Sequence, residues 1–205
     1  MSKTANRAYA ATAWISKFAY LNLLWLGFSL VGLVVLGFFP ATIAMFSVVR
    51  KWLMGETDIA VFSMFWSTYK AEFLRSNGLG LIIVVVGSLI VLDLVFIKNS
   101  GGNFVSAIQI PIYLFAFAAV LTTMYVFPVF VHYELKVVQI IKNSFLLMTI
   151  NPLENLVMLI SLVTVFFVVK YIPGLGFFFG GSILATIIMA ACLRAFQKME
   201  EKRKR

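Results

Sequence analysis

The chain has 205 residues, of which 62% are hydrophobic and only 12% charged, and its mean hydropathy is +1.00. Soluble domains are about half apolar and a quarter charged, so this composition excludes a soluble protein and indicates an integral membrane protein. Each crossing needs about 20 apolar residues. The length therefore predicts a single integral membrane domain over residues 1–205, an all-α bundle of five to six transmembrane helices.

The net charge is +9, from 17 Lys and Arg against 8 Asp and Glu. In a soluble protein such an excess often indicates nucleic-acid binding, but in a membrane protein it indicates that basic residues collect in cytoplasmic loops. We therefore expect a multi-pass protein of the cell membrane whose partner is membrane lipid, with no nucleic-acid binding and no direct nucleotide binding. With Cys192 as the only cysteine, no intramolecular disulfide can form.

The first apolar region, residues 18–49, is too long for one crossing and slightly short for two. A single crossing would leave 12 Lys and Arg on one side and 5 on the other, whereas a hairpin leaves 15 against 2. The hairpin is preferred, with both termini cytoplasmic and the turn at GFFP near the outer surface. Pro40 would begin the return helix, because a first-turn proline loses no helical hydrogen bond. Arg50, Lys51 and Trp52 would end it at the lipid headgroups.

Four later apolar runs predict the remaining spans: 79–97, 104–131, 155–169 and 172–193. The basic stretches beside them are expected to be cytoplasmic: 50–76, 133–152 and 194–205.

Two of these cytoplasmic stretches show helical spacing of apolar residues. In residues 58–76, Phe62, Trp66 and Phe73 predict the apolar edge of a helix on the membrane surface, and ELKVVQIIKNSFLLMTI shows a similar pattern. Packing of these helices on the bundle is an equally good interpretation. In the NPLE stretch that follows, the pattern predicts Asn151 as the N-cap of the next span.

Residues that could carry chemistry are few. The sequence contains no catalytic motif and no paired cysteines, so we expect no enzyme, no cofactor and no metal site. The only histidine, His132, lies two residues from Glu134, a spacing that puts the two side chains on different sides of a helix. We expect His132 to have a structural role at the membrane interface.

Asp93 is the only ionisable residue well inside a predicted span, and such residues are by default functional candidates. It would contact a partner helix or a substrate path, or else reach the headgroups near Lys98. Gly176 and Gly180 form a GxxxG pattern, which predicts close helix packing either inside the bundle or between proteins. Asp93, Gly176 and Gly180 are the candidate partner-binding residues, while Thr122 and Thr123 are expected to make interhelical hydrogen bonds.

Several stretches resemble the YesL-like family of small bacterial integral membrane proteins. The resemblance rests on GFFPATIAMFSVVRKWLMGETDIAVFSMFWSTYKAEFLRSN and, later, on YVFPVF and LKVVQIIKNSFLLM. It implies a domain of unknown function found near sugar ABC importer components that take up plant-wall oligosaccharides. The positions that match the family motif are Pro40, Thr42, Arg50, Lys51, Trp52, Gly55, Glu56, Phe65 and Trp66.

Two functions from different classes remain open. The first is an accessory membrane subunit that associates with the transmembrane subunits, or permease, of a carbohydrate ABC importer, as the resemblance implies. The second is a small independent transporter or channel. A path for polar solutes needs several polar groups inside the membrane, and the sequence offers only Asp93 and scattered Thr, Asn and Gln. This inventory favours the accessory subunit.

Overall fold

A computed structural model describes residues 3–99 and 103–204 of the chain. Within these residues the regular secondary structure is entirely α-helical, with no strand. The helices are α1 (Lys3–Val31), α2 (Val35–Leu53), α3 (Val61–Ala71), α4 (Phe73–Asn99), α5 (Asn103–His132), α6 (Val137–Ile150), α7 (Pro152–Tyr171) and α8 (Pro173–Lys204).

Six of the described helices are long and apolar enough to cross a membrane, namely α1, α2, α4, α5, α7 and α8. This confirms an all-α, multi-pass fold and favours six spans over five. The two shorter helices, α3 and α6, occupy the stretches in which amphipathic helices were predicted. The first apolar region does form two antiparallel helices, as the charge balance indicated.

The turn between α1 and α2 lies at residues 32–34, so the prediction of a turn at GFFP was wrong. The chain can reverse there because Gly32 and Gly37 bring the two helices into contact. A Cβ atom on Gly37 would lie 2.5 Å from the Ser29 carbonyl oxygen, and one on Gly32 would lie 2.3 Å from the Gly37 Cα. The backbone amides of Gly32, Leu33 and Val34 all donate to carbonyl oxygens near the end of α1. This apolar turn therefore needs no polar side chain.

Pro40 does not begin α2, because it is the sixth residue of that helix and is buried. A proline at this position cannot donate to the carbonyl four residues earlier, that of Leu36. The side-chain amide of Asn77, at the start of α4, donates to that carbonyl at 3.0 Å instead. α4 thus supplies the hydrogen bond that the proline removes from α2.

α2 lies at the centre of the bundle, in contact with α1, α3, α4, α5 and α8. Its small residues allow this close contact, and the Trp25 indole of α1 donates to the Thr42 hydroxyl at 3.0 Å. At the other end of α2, Trp52 packs edge-on against Trp14 and Phe18 of α1 at ring distances of 5.6 and 5.7 Å. The hydrophobic core therefore forms around α2, most of whose apolar stretch is buried inside the protein.

Asn22 joins α1 to α8. Its fully buried side chain donates to the Phe177 carbonyl at 2.7 Å and accepts from the Ser182 amide at 2.9 Å. Gly181 leaves room for it, since a Cβ there would lie 2.9 Å from the Asn22 side-chain oxygen. No pattern in the sequence singled out Asn22.

Two local predictions were wrong, and a third was confirmed only in part. Thr122 and Thr123 bond to carbonyls four residues back in their own helix rather than across helices. The segment 58–76 is not one helix, because α3 ends at Ala71 and Phe73 begins α4. Asn151 does occupy the N-cap position of α7, as predicted, but its side chain donates back to the Leu147 carbonyl of α6 and makes no capping hydrogen bond.

Candidate functional site: a polar cavity beside Arg50

A cavity of about 430 Å³ opens where α2 and α5 end, and we call it the polar cavity. It is lined by one face of α2 between residues 43 and 50, by the end of α3, by the start of α4, and by the end of α5 with the residues that follow. Four separate elements of the fold therefore form its wall. Its polar lining side chains are Ser47, Arg50, Ser67, Thr68, Glu72, Arg75, His132, Tyr133 and Glu134.

Arg50 is half-buried in this wall and is held by its Nε atom, which lies 3.3 Å from Nδ1 of His132. The imidazole is in turn packed against the rings of Tyr133 and Phe196, at 4.6 and 4.5 Å. Because Nδ1 accepts from Arg50, the proton of the neutral imidazole sits on Nε2. Among the described residues, Arg50 has no carboxylate within ion-pair distance, and its terminal nitrogens make no hydrogen bond.

Arg75 is also in the wall, but both terminal nitrogens of its guanidinium have partners within the chain. One terminal nitrogen lies 3.2 Å from a Glu72 carboxylate oxygen, and the other donates to the carbonyl of Leu135. The guanidinium also lies 4.5 Å from the ring centre of Phe130. The Glu72 and Arg75 charges compensate each other, and the contacts of Arg75 with Leu135 and Phe130 fix the start of α4 to the end of α5. Arg50 is then the cation of the described cavity lining that has no carboxylate within ion-pair distance.

The remaining polar lining consists of three hydroxyl side chains, a phenol and the exposed carboxylate of Glu134. Ser47 lies one turn before Arg50 on the same face of α2. The Ser67 hydroxyl donates to Met64, whereas those of Ser47 and Thr68 bond to no described residue. Burial, and to a smaller extent the Glu200 carboxylate, raises the pKa of Tyr133. Its phenol therefore stays protonated and able to donate at neutral pH.

Comparison of the sequence with known proteins places the chain in a family. The family model described as "Protein of unknown function, DUF624" matches residues 18–94, which include α2, α3 and much of α1 and α4. The uncharacterized protein YteU of Bacillus subtilis (strain 168) is 39% identical over 188 residues, covering 92% of this chain and 84% of YteU. The chain belongs to the YesL-like family. YesL itself, an uncharacterized protein of the same organism, is 37% identical over 98% of this chain and 95% of its own length.

A third uncharacterized relative, YesV of the same organism, is 36% identical over 94% of this chain and 92% of its own length. No solved structure matches the chain significantly. The YesL-like family is thus established over nearly the whole chain, while its function is not.

Most residues of the YesL-like motif hold α1, α2 and α3 together. Lys51 pairs with Glu56 at 2.7 Å, and Gly55 between them has a φ of +96°, a conformation that favours glycine. On α3, the rings of Phe65 and Trp66 lie 5.3 and 5.4 Å from the ring of Phe28 in α1. Of the motif residues, Arg50 alone lines the polar cavity.

The three candidate partner-binding residues do not form one site. Gly176 packs inside the protein, because a Cβ there would lie 2.6 Å from the Val169 side chain of α7, and Gly180 lies further from it. Both glycines line an apolar groove of about 330 Å³ between α7 and α8. Asp93 is on α4, where it is exposed and makes no hydrogen bond or ion pair with any described residue.

Glu154 is a polar residue whose role the sequence analysis missed. Its side chain is only 7% exposed and lies 2.9 Å from Lys198 and 3.5 Å from Arg194, both on α8. The signal was available, because residues 194 and 198 are one turn apart on a single helix face. Glu154 thus fixes the start of α7 to the end of α8. Among the described residues, no cluster of three His, Cys, Asp or Glu side chains could hold a metal ion.

Proposed function

We propose that this YesL-like protein is an accessory membrane subunit that associates with the permease of a carbohydrate ABC importer. The observation that supports association is the unpaired carboxylate of Asp93 on a largely apolar helix surface. The resemblance to the YesL-like family, with its implied context of oligosaccharide uptake, supports the class of partner. The role requires no reaction chemistry of the protein itself.

The surroundings of Asp93 explain why it needs a partner. Neighbouring side chains on the same helix, including Leu92 and Phe96, are 64% and 59% exposed, as expected for a helix that faces lipid or another protein. Asp93 lies six residues before the end of α4, which is about 9 Å along the axis. A carboxylate in hydrocarbon is costly unless it is paired, and aspartate is too short to reach far toward the headgroups. A donor or cation on a partner helix would remove this cost.

The accessory role is favoured over the independent transporter or channel by the way polar groups inside the spans are used. Thr122, Thr123 and Asn22 each bond to nearby backbone and stabilise the helices. A solute path needs polar groups that remain available along its length. The polar cavity is found only where α2 and α5 end.

The proposal includes an orientation in the cell membrane. The end at which Arg50 contacts His132, together with the C-terminus, would face the cytoplasm, because a six-span chain leaves 15 Lys and Arg on that side against 2 on the other. Single cysteines in a Cys192→Ala background can be labelled with a membrane-impermeant maleimide. Labelling of a cysteine near residue 200 from outside intact cells would contradict this orientation.

The association can be tested by mild-detergent affinity purification followed by mass spectrometry. We expect the importer permease to copurify with the wild-type protein and with Ser88→Leu, a control at another exposed polar position of α4. Asp93→Leu should lose the permease while remaining folded in the membrane. Deletion of the protein should reduce oligosaccharide uptake. Movement of a sugar or ion across liposomes by the purified protein alone would instead support the transporter.

A further inference from the structure

The polar cavity has the properties of a binding site for an anionic group. Arg50 is half-buried there, and its two terminal nitrogens are without partners among the described residues. A buried or half-buried charge without a partner is unfavourable, whereas a bound anion would accept hydrogen bonds from both nitrogens. The cavity therefore offers a preorganised donor group rather than a flexible surface cation.

The orientation of Arg50 is fixed by contacts on its other side. The Nε atom is bonded to His132, whose ring is held between Tyr133 and Phe196. A guanidinium held at Nε retains its planar pair of terminal N–H groups for a ligand, the geometry that binds carboxylate or phosphate through two parallel hydrogen bonds. The neighbouring Lys51 differs in this respect, because its ammonium group is paired with Glu56.

The other residues that line the cavity limit the charge and the size of the ligand it can bind. The Ser47 and Thr68 hydroxyls are available to donate, which suits a group with several acceptor oxygens. Glu72 is compensated by Arg75, but the exposed Glu134 also lines the cavity and disfavours a ligand of high negative charge. A volume of about 430 Å³ admits a phosphate together with part of the group that carries it.

We propose that the polar cavity binds a phosphate group of low charge, with Arg50 as the principal donor and the hydroxyls of Ser47 and Thr68 as further donors. Such a group occurs in the headgroup of an anionic phospholipid and in soluble phosphates. The proposal does not depend on the association with an importer, because Asp93 does not line the polar cavity.

The test compares Arg50→Gln with Lys51→Gln, which removes the same charge from the next residue of the same helix outside the cavity. One measurement is native mass spectrometry of each protein, released from nanodiscs that contain phosphatidylglycerol and phosphatidylcholine. The other is the shift of the thermal midpoint in detergent on addition of inorganic phosphate, with chloride at equal ionic strength as the reference. Midpoints without ligand establish that each variant is folded.

If the source is a lipid, wild type and Lys51→Gln should retain phosphatidylglycerol, and Arg50→Gln should retain it about tenfold less, as expected for the loss of a charge-assisted hydrogen bond. If the source is a soluble phosphate, the same ranking should appear in the thermal shift with no selective lipid retention. Ser47→Ala combined with Thr68→Val should weaken whichever signal is found while leaving Arg50 in place. Equal signals in Arg50→Gln and wild type, or no signal in either measurement, would overturn the proposal.

Discussion

α2 and α4 are both apolar helices long enough to cross a membrane, yet they have opposite surroundings. In α2, 61% of the most apolar stretch is buried inside the protein, whereas in α4 the share is 11%. α4 is the more hydrophobic of the two, so hydropathy alone would assign the core to the wrong helix. Which helix is buried inside this protein is therefore decided by a property other than hydropathy.

That property is side-chain size. Gly37, Ala41 and Ala44 let neighbouring helices approach the α2 backbone, and all three are buried. α4 instead presents branched and aromatic residues around most of its circumference, which fill space against lipid as well as against protein. Lipid tails are as apolar as leucine, so helix association depends on close packing and hydrogen bonds rather than on burial of apolar surface. The same kind of substitution should therefore change the stability of the protein much more when it is made in α2 than when it is made in α4.

The largest difference is expected for a methyl group added to a glycine in each helix. Gly37→Ala would place a Cβ 2.5 Å from a backbone oxygen of α1, which cannot move without displacing the helix. Overpacking of this kind costs about 1–3 kcal/mol or more. Gly87→Ala in α4 meets nothing within 4 Å and should be neutral or slightly stabilising. The thermal midpoints of both variants in one detergent measure the difference, and equal midpoints would contradict the packing argument.

A smaller difference is expected for the removal of a hydroxyl. Thr42→Val in α2 removes the acceptor of the Trp25 indole N–H at nearly constant volume. A buried donor without a partner costs about 1–3 kcal/mol. Ser88→Ala in the exposed part of α4 should change the midpoint little, because no helix of the described chain depends on that hydroxyl. If Trp25→Phe abolished the effect of Thr42→Val, the loss would be assigned to this hydrogen bond.

The sequence was sufficient for the helical, multi-pass fold because hydropathy and the distribution of Lys and Arg are properties of the whole chain. It misplaced the α1–α2 turn because Pro40 resembles a helix start, and its missing hydrogen bond is replaced by Asn77 from a distant helix. Arg50 was found through the family motif but interpreted as a lipid anchor. The cavity beside it is formed by four elements that are far apart in sequence, so no local pattern could predict it.

The contact between Asn77 and α2 joins the two helices under comparison, and it provides a coupled test. Asn77→Leu should destabilise the protein by about 1 kcal/mol, because the Leu36 carbonyl loses its donor. In a Pro40→Ala background the restored amide of residue 40 can donate to that carbonyl, so the same Asn77→Leu change should cost less. A double-mutant cycle by thermal unfolding measures this coupling. Strictly additive effects would mean that Asn77 acts through its other hydrogen bond, to Phe73.

The smallest effect on stability is expected at Asp93, where the comparison also bears on function. Asp93 makes no hydrogen bond or ion pair with a described residue, so Asp93→Asn should leave the midpoint of the isolated protein unchanged within about 0.5 kcal/mol. Asparagine keeps the size and one acceptor oxygen but loses the charge, so a cationic partner would bind it less well than aspartate. The variant should therefore show normal stability together with weaker copurification of the permease. A large loss of stability in detergent would instead show that Asp93 is paired within the chain. The exposed surface of α4 would then no longer be supported as the surface that contacts the permease.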